Sequence, residues 1–164
     1  MRQIDVHLTF REYDSLDELP GEDQELIKEA QSSMLLAYAP YSHFLVGAAA
    51  LLENGVIVKG NNQENASYPI GLCAERVAVF AAGANYPGIK IKAVAISALS
   101  KEFVIDKPVT PCGACRQAIA EYEHRYQNPI RLIMAGETGK VLVADSILPF
   151  LPYVFNGDAL KAKK

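Results

Sequence analysis

The chain has 164 residues, 50% of them hydrophobic and 21% charged, with a formal net charge of −3 and a pI near 5.6. That length suits one domain with a full core, and no run of about 18 apolar residues is present to span a membrane. A mildly acidic chain without a basic stripe lacks the footprint of a protein that grips long nucleic acid, so the composition favours a small-molecule substrate. No secretory h-region follows Met1 and the three cysteines are an odd number, which together favour a cytoplasmic location.

Residues 1–21 read as an N-terminal extension, and residues 22–164 as a single domain. In the extension Ile4, Val6, Leu8 and Phe10 alternate with polar positions, the period of a strand, so an added edge strand or an arm on a neighbouring copy is expected. Pro20-Gly21 closes it as a turn. Leu26, Ile27, Ala30, Met34 and Ala37 recur at helical spacing and predict a helix over Glu22–Tyr38, stopped by Pro40. Asn54-Gly55 between apolar runs predicts a hairpin joining strands Leu45–Leu52 and Val56–Lys59. A polar loop over 61–71 leads to a helix over Cys73–Ala82, ended by Gly83, and then to a strand over Lys92–Ala98. Pro111 stands where a helix start tolerates it and opens a helix over Cys112–Tyr126. Strands Ile130–Ala135 and Val141–Ala144 follow as a second hairpin, and Leu148–Leu160 closes the chain with a short helix. Lys161, Lys163 and Lys164 read as a solvated tail. The order predicts an α/β protein of three α/β/α layers, with a mixed five-stranded sheet and helices on both faces.

Chemistry concentrates in two short motifs. The cysteines all fall in Cys73-Ala74-Glu75 and Pro111-Cys112-Gly113-Ala114-Cys115. Cys112 and Cys115, three apart, share one face of a helix, and Cys73 opens another helix. Three thiolates on one zinc ion leave a fourth position for water, the arrangement of a catalytic rather than a structural site. A closed site would need a fourth ligand, for which His7, His43 and His124 are the candidates; His43, in the polar Tyr41-Ser42-His43 turn, reads as a surface or pocket-rim residue. His124 is excluded because it lies about 13 Å along the helix from Cys115. Glu75 diverges from Cys73 and suits proton transfer better than ligation. Three thiolates also overcompensate the metal charge, so at least one of Arg76 and Arg116, each beside a cysteine, is expected to donate hydrogen bonds to sulfur, Arg76 ahead of Arg116.

With these residues in view, the chain resembles the cytidine deaminase family, specifically its small homotetrameric form with an all-cysteine zinc site. The resemblance runs from Glu25 to Leu160. It rests on Tyr38-Ala39-Pro40-Tyr41-Ser42, Phe44, Val46-Gly47-Ala48-Ala49, Gly60-Asn61-Asn62-Gln63-Glu64-Asn65-Ala66, Cys73-Ala74-Glu75-Arg76, Pro111-Cys112-Gly113-Ala114-Cys115-Arg116-Gln117 and the Leu148-Pro149-Phe150 tail. Leu45, where the family often has proline, and the long extension depart from the pattern.

The resemblance implies a zinc-dependent deaminase domain over 22–164, with one zinc ion per subunit on Cys73, Cys112 and Cys115. It implies that Glu75 shuttles protons, that Asn62 and Glu64 bond the 3′-hydroxyl of a ribose, that Phe44 packs on the pyrimidine and that the Ala74 N–H meets the base carbonyl. It further implies a homotetramer, with Tyr68 and Phe150 as candidates to face a neighbouring subunit's pocket. The implied reaction is hydrolytic deamination of cytidine or 2′-deoxycytidine in pyrimidine salvage. The alternatives are deamination of a nucleoside-like antibiotic of the blasticidin S type, deamination of nucleic acid, and a non-catalytic zinc-stabilised module.

Overall fold

A computed structural model of the chain describes residues 1–160; the lysines expected to form a solvated tail lie outside the described residues. Strand β1 (Arg11–Tyr13) and helix α1 (Gly21–Met34) precede the hairpin β2 (Phe44–Leu52) and β3 (Ile57–Asn61). Helix α2 (Ala74–Asn85), strand β4 (Ile91–Ser100), helix α3 (Gly113–Tyr126) and strands β5 (Arg131–Ala135) and β6 (Val141–Ala144) follow. Short 3₁₀ turns at Leu148–Phe150 and Gly157–Leu160 take the place of the closing helix.

The strands form one sheet in the order β1-β6-β5-β4-β2-β3, in which only β4 and β5 run parallel. It has six strands where five were expected. The extra one comes from the extension, directly after the apolar alternation of Ile4 to Phe10 rather than within it: Arg11 pairs with Val143 and Tyr13 with Val141, while residues 1–10 adopt no regular structure.

Alternation along the strands divides the core. On one face Leu26, Ile27 and Ala30 of α1 pack on Ala49, Ala95, Ile133 and Val143. On the other, Ala78 and Val79 of α2 and Ile119 of α3 pack on Ala48, Val94, Ile96 and Leu132. Alanines at the centre of β2 and β4 let the helices sit close to the sheet, and burying these faces supplies the main stabilisation.

Two helix ends differ from expectation for non-local reasons. α1 stops at Met34 because Leu35 and Leu36 meet no core and stay 69% and 75% exposed. The chain then leaves the helix so that Tyr38 can bond the 61–66 loop through its own N–H to Asn62 O (3.0 Å) and through its carbonyl to Glu64 N (2.8 Å). α2 does not stop at Gly83 but continues to Asn85. A Cβ at Gly83 would stand 2.2 Å from the Tyr122 hydroxyl, so this glycine serves the contact with α3.

Candidate metal centre and active site

The two helices that share a sheet face also share a functional end. Cys73 and Cys112 are the N-cap residues of α2 and α3, in extended conformation (ψ 152° and 168°), and Cys115 lies one turn into α3. Unpaired N–H groups and the helix dipole favour anions at such ends. The sulfurs of Cys73 and Cys112 are 3.7 Å apart and those of Cys112 and Cys115 are 3.4 Å apart. Three sulfurs about 2.3 Å from one tetrahedral zinc stand about 3.8 Å from each other, so the donor set fits that ion. No histidine, aspartate or glutamate joins the group among the described residues. His43 instead faces Glu102, and His124 faces Asp158.

Burial and charge differ sharply across the cluster. Cys115 is fully buried, Cys73 partly so, and Cys112 is exposed. A hydrogen bond from Cys115 holds the Cys73 thiol down to about 5 against the opposing effect of burial, and Arg76 adds to the lowering. The Arg76 guanidinium lies 3.9 Å from the Cys73 sulfur and 3.4 Å from the Gly71 carbonyl. Arg116 goes elsewhere: its Nε donates to the Pro111 carbonyl at 2.7 Å, and its guanidinium lies over the Phe150 ring. It therefore braces the residue before Cys112 and touches no sulfur.

Glu75 is only 4% exposed, in the first turn of α2. Burial raises its carboxyl, and the neighbouring Cys73 thiolate raises it further, while its own backbone N–H, Cys115 and Arg76 pull the other way. A carboxyl raised in this manner holds its proton more tightly than a solvated one, which suits it to proton transfer. Ala74 is buried as the first residue of α2, where its N–H has no intrahelical acceptor.

A cavity of about 640 Å³ opens beside the cluster, lined among others by Phe44, Asn62, Glu64, Tyr68, Cys73 and Glu75. Its far wall is carried by a small backbone ladder. Gln63 and Leu72 exchange hydrogen bonds at 2.9 Å in both directions, which fixes the 61–66 loop against the start of α2. Gly60 permits the approach: a Cβ there would lie 2.5 Å from both Ala74 O and Ala78 N.

The structure brings Phe44, Asn62, Glu64, Ala74 and Glu75 to one end of the sheet with the cysteines. Asn62 and Glu64 also bond the backbone of the 41–46 segment, which their polarity alone did not reveal. Tyr68 lines this chain's own cavity, tilted against Tyr41 at 5.7 Å, and is 74% exposed. Phe150 packs on the core beneath Arg116. Val109 and Thr110 line the cavity without having been singled out, because neither carries a local chemical signal.

A family model described as the cytidine and deoxycytidylate deaminase zinc-binding region matches residues 20–127. A cytidine deaminase of Halalkalibacterium halodurans is 48% identical over 98 residues, covering 60% of this chain and 70% of that protein. A probable cytidine deaminase of Dictyostelium discoideum is 38% identical over 123 residues, or 73% of this chain and 80% of that one. The crystal structure of a cytidine deaminase from Burkholderia pseudomallei superposes with a TM-score of 0.70 at 36% identity, covering 84% of this chain and all of that chain.

Proposed function

The chain belongs to the cytidine and deoxycytidylate deaminase family of zinc-binding enzymes, and we propose that it hydrolyses cytidine and 2′-deoxycytidine to the corresponding uridine and ammonia in pyrimidine salvage. The observation that carries this reading is the trio of sulfurs at zinc spacing with the buried Glu75 at the same cavity. Zinc, one per chain on Cys73, Cys112 and Cys115, supplies an activated water when bound. Glu75 accepts a proton from the attacking water and delivers it to N3 of the cytosine, then takes the proton of the new C4 hydroxyl and passes it to the departing amine. A C4–O bond forms and the C4–N4 bond breaks, so one water is consumed and one ammonia leaves. The Ala74 N–H orients the base carbonyl, Phe44 covers the pyrimidine, and Asn62 and Glu64 hold the 3′-hydroxyl. Arg76 tempers the charge of the thiolates.

A nucleoside fits the cavity better than a nucleotide. No lysine or arginine lines it among the described residues, and Glu64 brings negative charge there. A 5′-phosphate would find no counter-charge. The cavity, lined by the exposed Tyr68 (74%), supports closure by neighbouring copies in a homotetramer. Parallel assays of the zinc-loaded protein on cytidine, deoxycytidine, deoxycytidylate, blasticidin S and single-stranded DNA test the reading. Turnover of the two nucleosides with weak or no turnover of the other three is expected. Preference for the nucleotide, the antibiotic or DNA would replace it, and no turnover of any would leave a structural zinc module.

A further inference from the structure

Ser42 sits at the hinge of the cavity wall and has no role in the reading above. It lies on the short turn between Pro40 and β2, exposed and lining the cavity. Its hydroxyl has one proton and two lone pairs. The proton goes to Glu64 Oε1, and a lone pair accepts the Phe44 N–H at 3.1 Å. One small side chain thus connects the carboxylate assigned to the sugar with the backbone of the ring assigned to the base.

The surrounding bonds explain why that connection is selective. Glu64 Oε2 accepts the N–H groups of Tyr41 (2.9 Å) and Ser42 (3.3 Å). A carboxylate offers about four lone-pair sites. With two taken on Oε2 and one on Oε1, the remaining site lies on the oxygen that Ser42 holds. The Phe44 carbonyl is held separately, by the Asn62 amide at 2.9 Å, and the same amide's Oδ1 accepts Val46 N–H at 2.8 Å. His43, between Ser42 and Phe44, is left-handed at φ 53° without being glycine. Such a conformation persists where surrounding contacts over-determine it. Here the His43 carbonyl accepts Lys101 N–H at 3.2 Å, and Ser42 spans the turn itself.

We propose that Ser42 is a positioning residue that orients the free lone pair of Glu64 toward the substrate's sugar hydroxyl and sets its distance from Phe44. It touches the reaction only through these two residues, and the inference rests on the nucleoside reading above. Three zinc-loaded variants, Ser42→Ala, Ser42→Thr and Glu64→Gln, are compared with the parent protein on cytidine and 3′-deoxycytidine, reading kcat and KM separately and the ratio of kcat/KM between the two substrates. Ser42→Ala is expected to raise KM for cytidine by about tenfold, the weight of a hydrogen bond to a charged group, with a smaller change in kcat. It should lower the ratio between substrates, and Ser42→Thr, which keeps the hydroxyl, should restore it. A general loosening of the fold would weaken both substrates alike and leave the ratio unmoved, which would overturn the proposal. If Glu64→Gln collapses the ratio while Ser42→Ala keeps it, Ser42 has no positioning role although Glu64 reads the sugar. If Glu64→Gln also keeps the ratio, the sugar assignment falls and takes the role of Ser42 with it.

Discussion

At Glu75 burial raises the carboxyl and the Cys73 thiolate adds to it, against the opposing pull of its own backbone N–H, Cys115 and Arg76. Glu75 is enclosed beside a thiolate, so its proton is held more tightly than on a solvated glutamate. Replacing it by alanine removes the proton carrier and leaves all three sulfurs in place. Glu75→Ala is expected to retain zinc and lose ~10²–10⁴ in kcat, as read by metal analysis and turnover on one sample. Arg76→Gln acts on the metal instead. It removes the guanidinium at 3.9 Å from the Cys73 sulfur, so zinc retention against a chelator should weaken by roughly 10–100-fold. Arg116→Gln, which touches no sulfur, should weaken it less. Glu123 shows that a buried carboxylate is not by itself a catalyst. It is 8% exposed, yet its oxygens accept Ile130 N–H (2.8 Å), Ile147 N–H (2.9 Å) and the Ser146 hydroxyl (2.9 Å). It ties α3 to the loops beside β5 and β6 and does not line the cavity beside the cysteines. Glu123→Ala should therefore cost about 2–3 kcal/mol in denaturant unfolding by stranding these donors, with turnover retained by the folded fraction.

At the scale of elements, the start of α2 decides whether the site exists. Gly60 lets β3 approach it, and the obstacle to any side chain there is backbone, which cannot swing aside. Gly60→Ala should cost about 1–3 kcal/mol and raise KM as well, because α2 carries Cys73, Ala74 and Glu75. A denaturation midpoint and a Michaelis curve check both halves. The same element shows what the sequence made legible. The cysteine spacing, Pro111 ahead of α3 and Asn54-Gly55 between β2 and β3 are local signals, and each element stands within a few residues of expectation. The end of α1 and the passage of α2 through Gly83 depend on partners distant in the chain, Gln63's loop and Tyr122, which periodicity does not encode. The site divides in the same way. Residue types pointed to metal and base, whereas the bonds of Asn62 and Glu64 to the 41–46 backbone exist only once β2 and the loop after β3 are side by side.

Across the whole molecule, the extension adds a sixth strand far from the β3 edge. It is fastened by pairing with β6, by ion pairs of Arg11 with Asp145 and Glu12 with Lys140, and by Phe10 edge-on to Phe150 at 5.0 Å. Exposed ion pairs contribute little and an aromatic pair about 0.5–1.5 kcal/mol. Deleting residues 1–13 should therefore lower stability by roughly 1–3 kcal/mol without abolishing turnover. The proposed homotetramer adds a demand at this scale: sedimentation of the zinc-loaded protein at micromolar concentration should give a tetramer, and a monomer of full activity would contradict sites shared between copies. The central claim is that one zinc ion on three sulfurs, served by one buried carboxylate, deaminates a cytosine nucleoside. The most direct measurement follows uridine and ammonia released from cytidine by zinc-quantified protein, with zinc-quantified Glu75→Ala alongside. The account predicts equal amounts of the two products from the parent protein and turnover reduced at least a hundredfold in the variant, at about equal metal content. A zinc-loaded parent protein that leaves cytidine unchanged, or a variant that turns it over as fast, would contradict it.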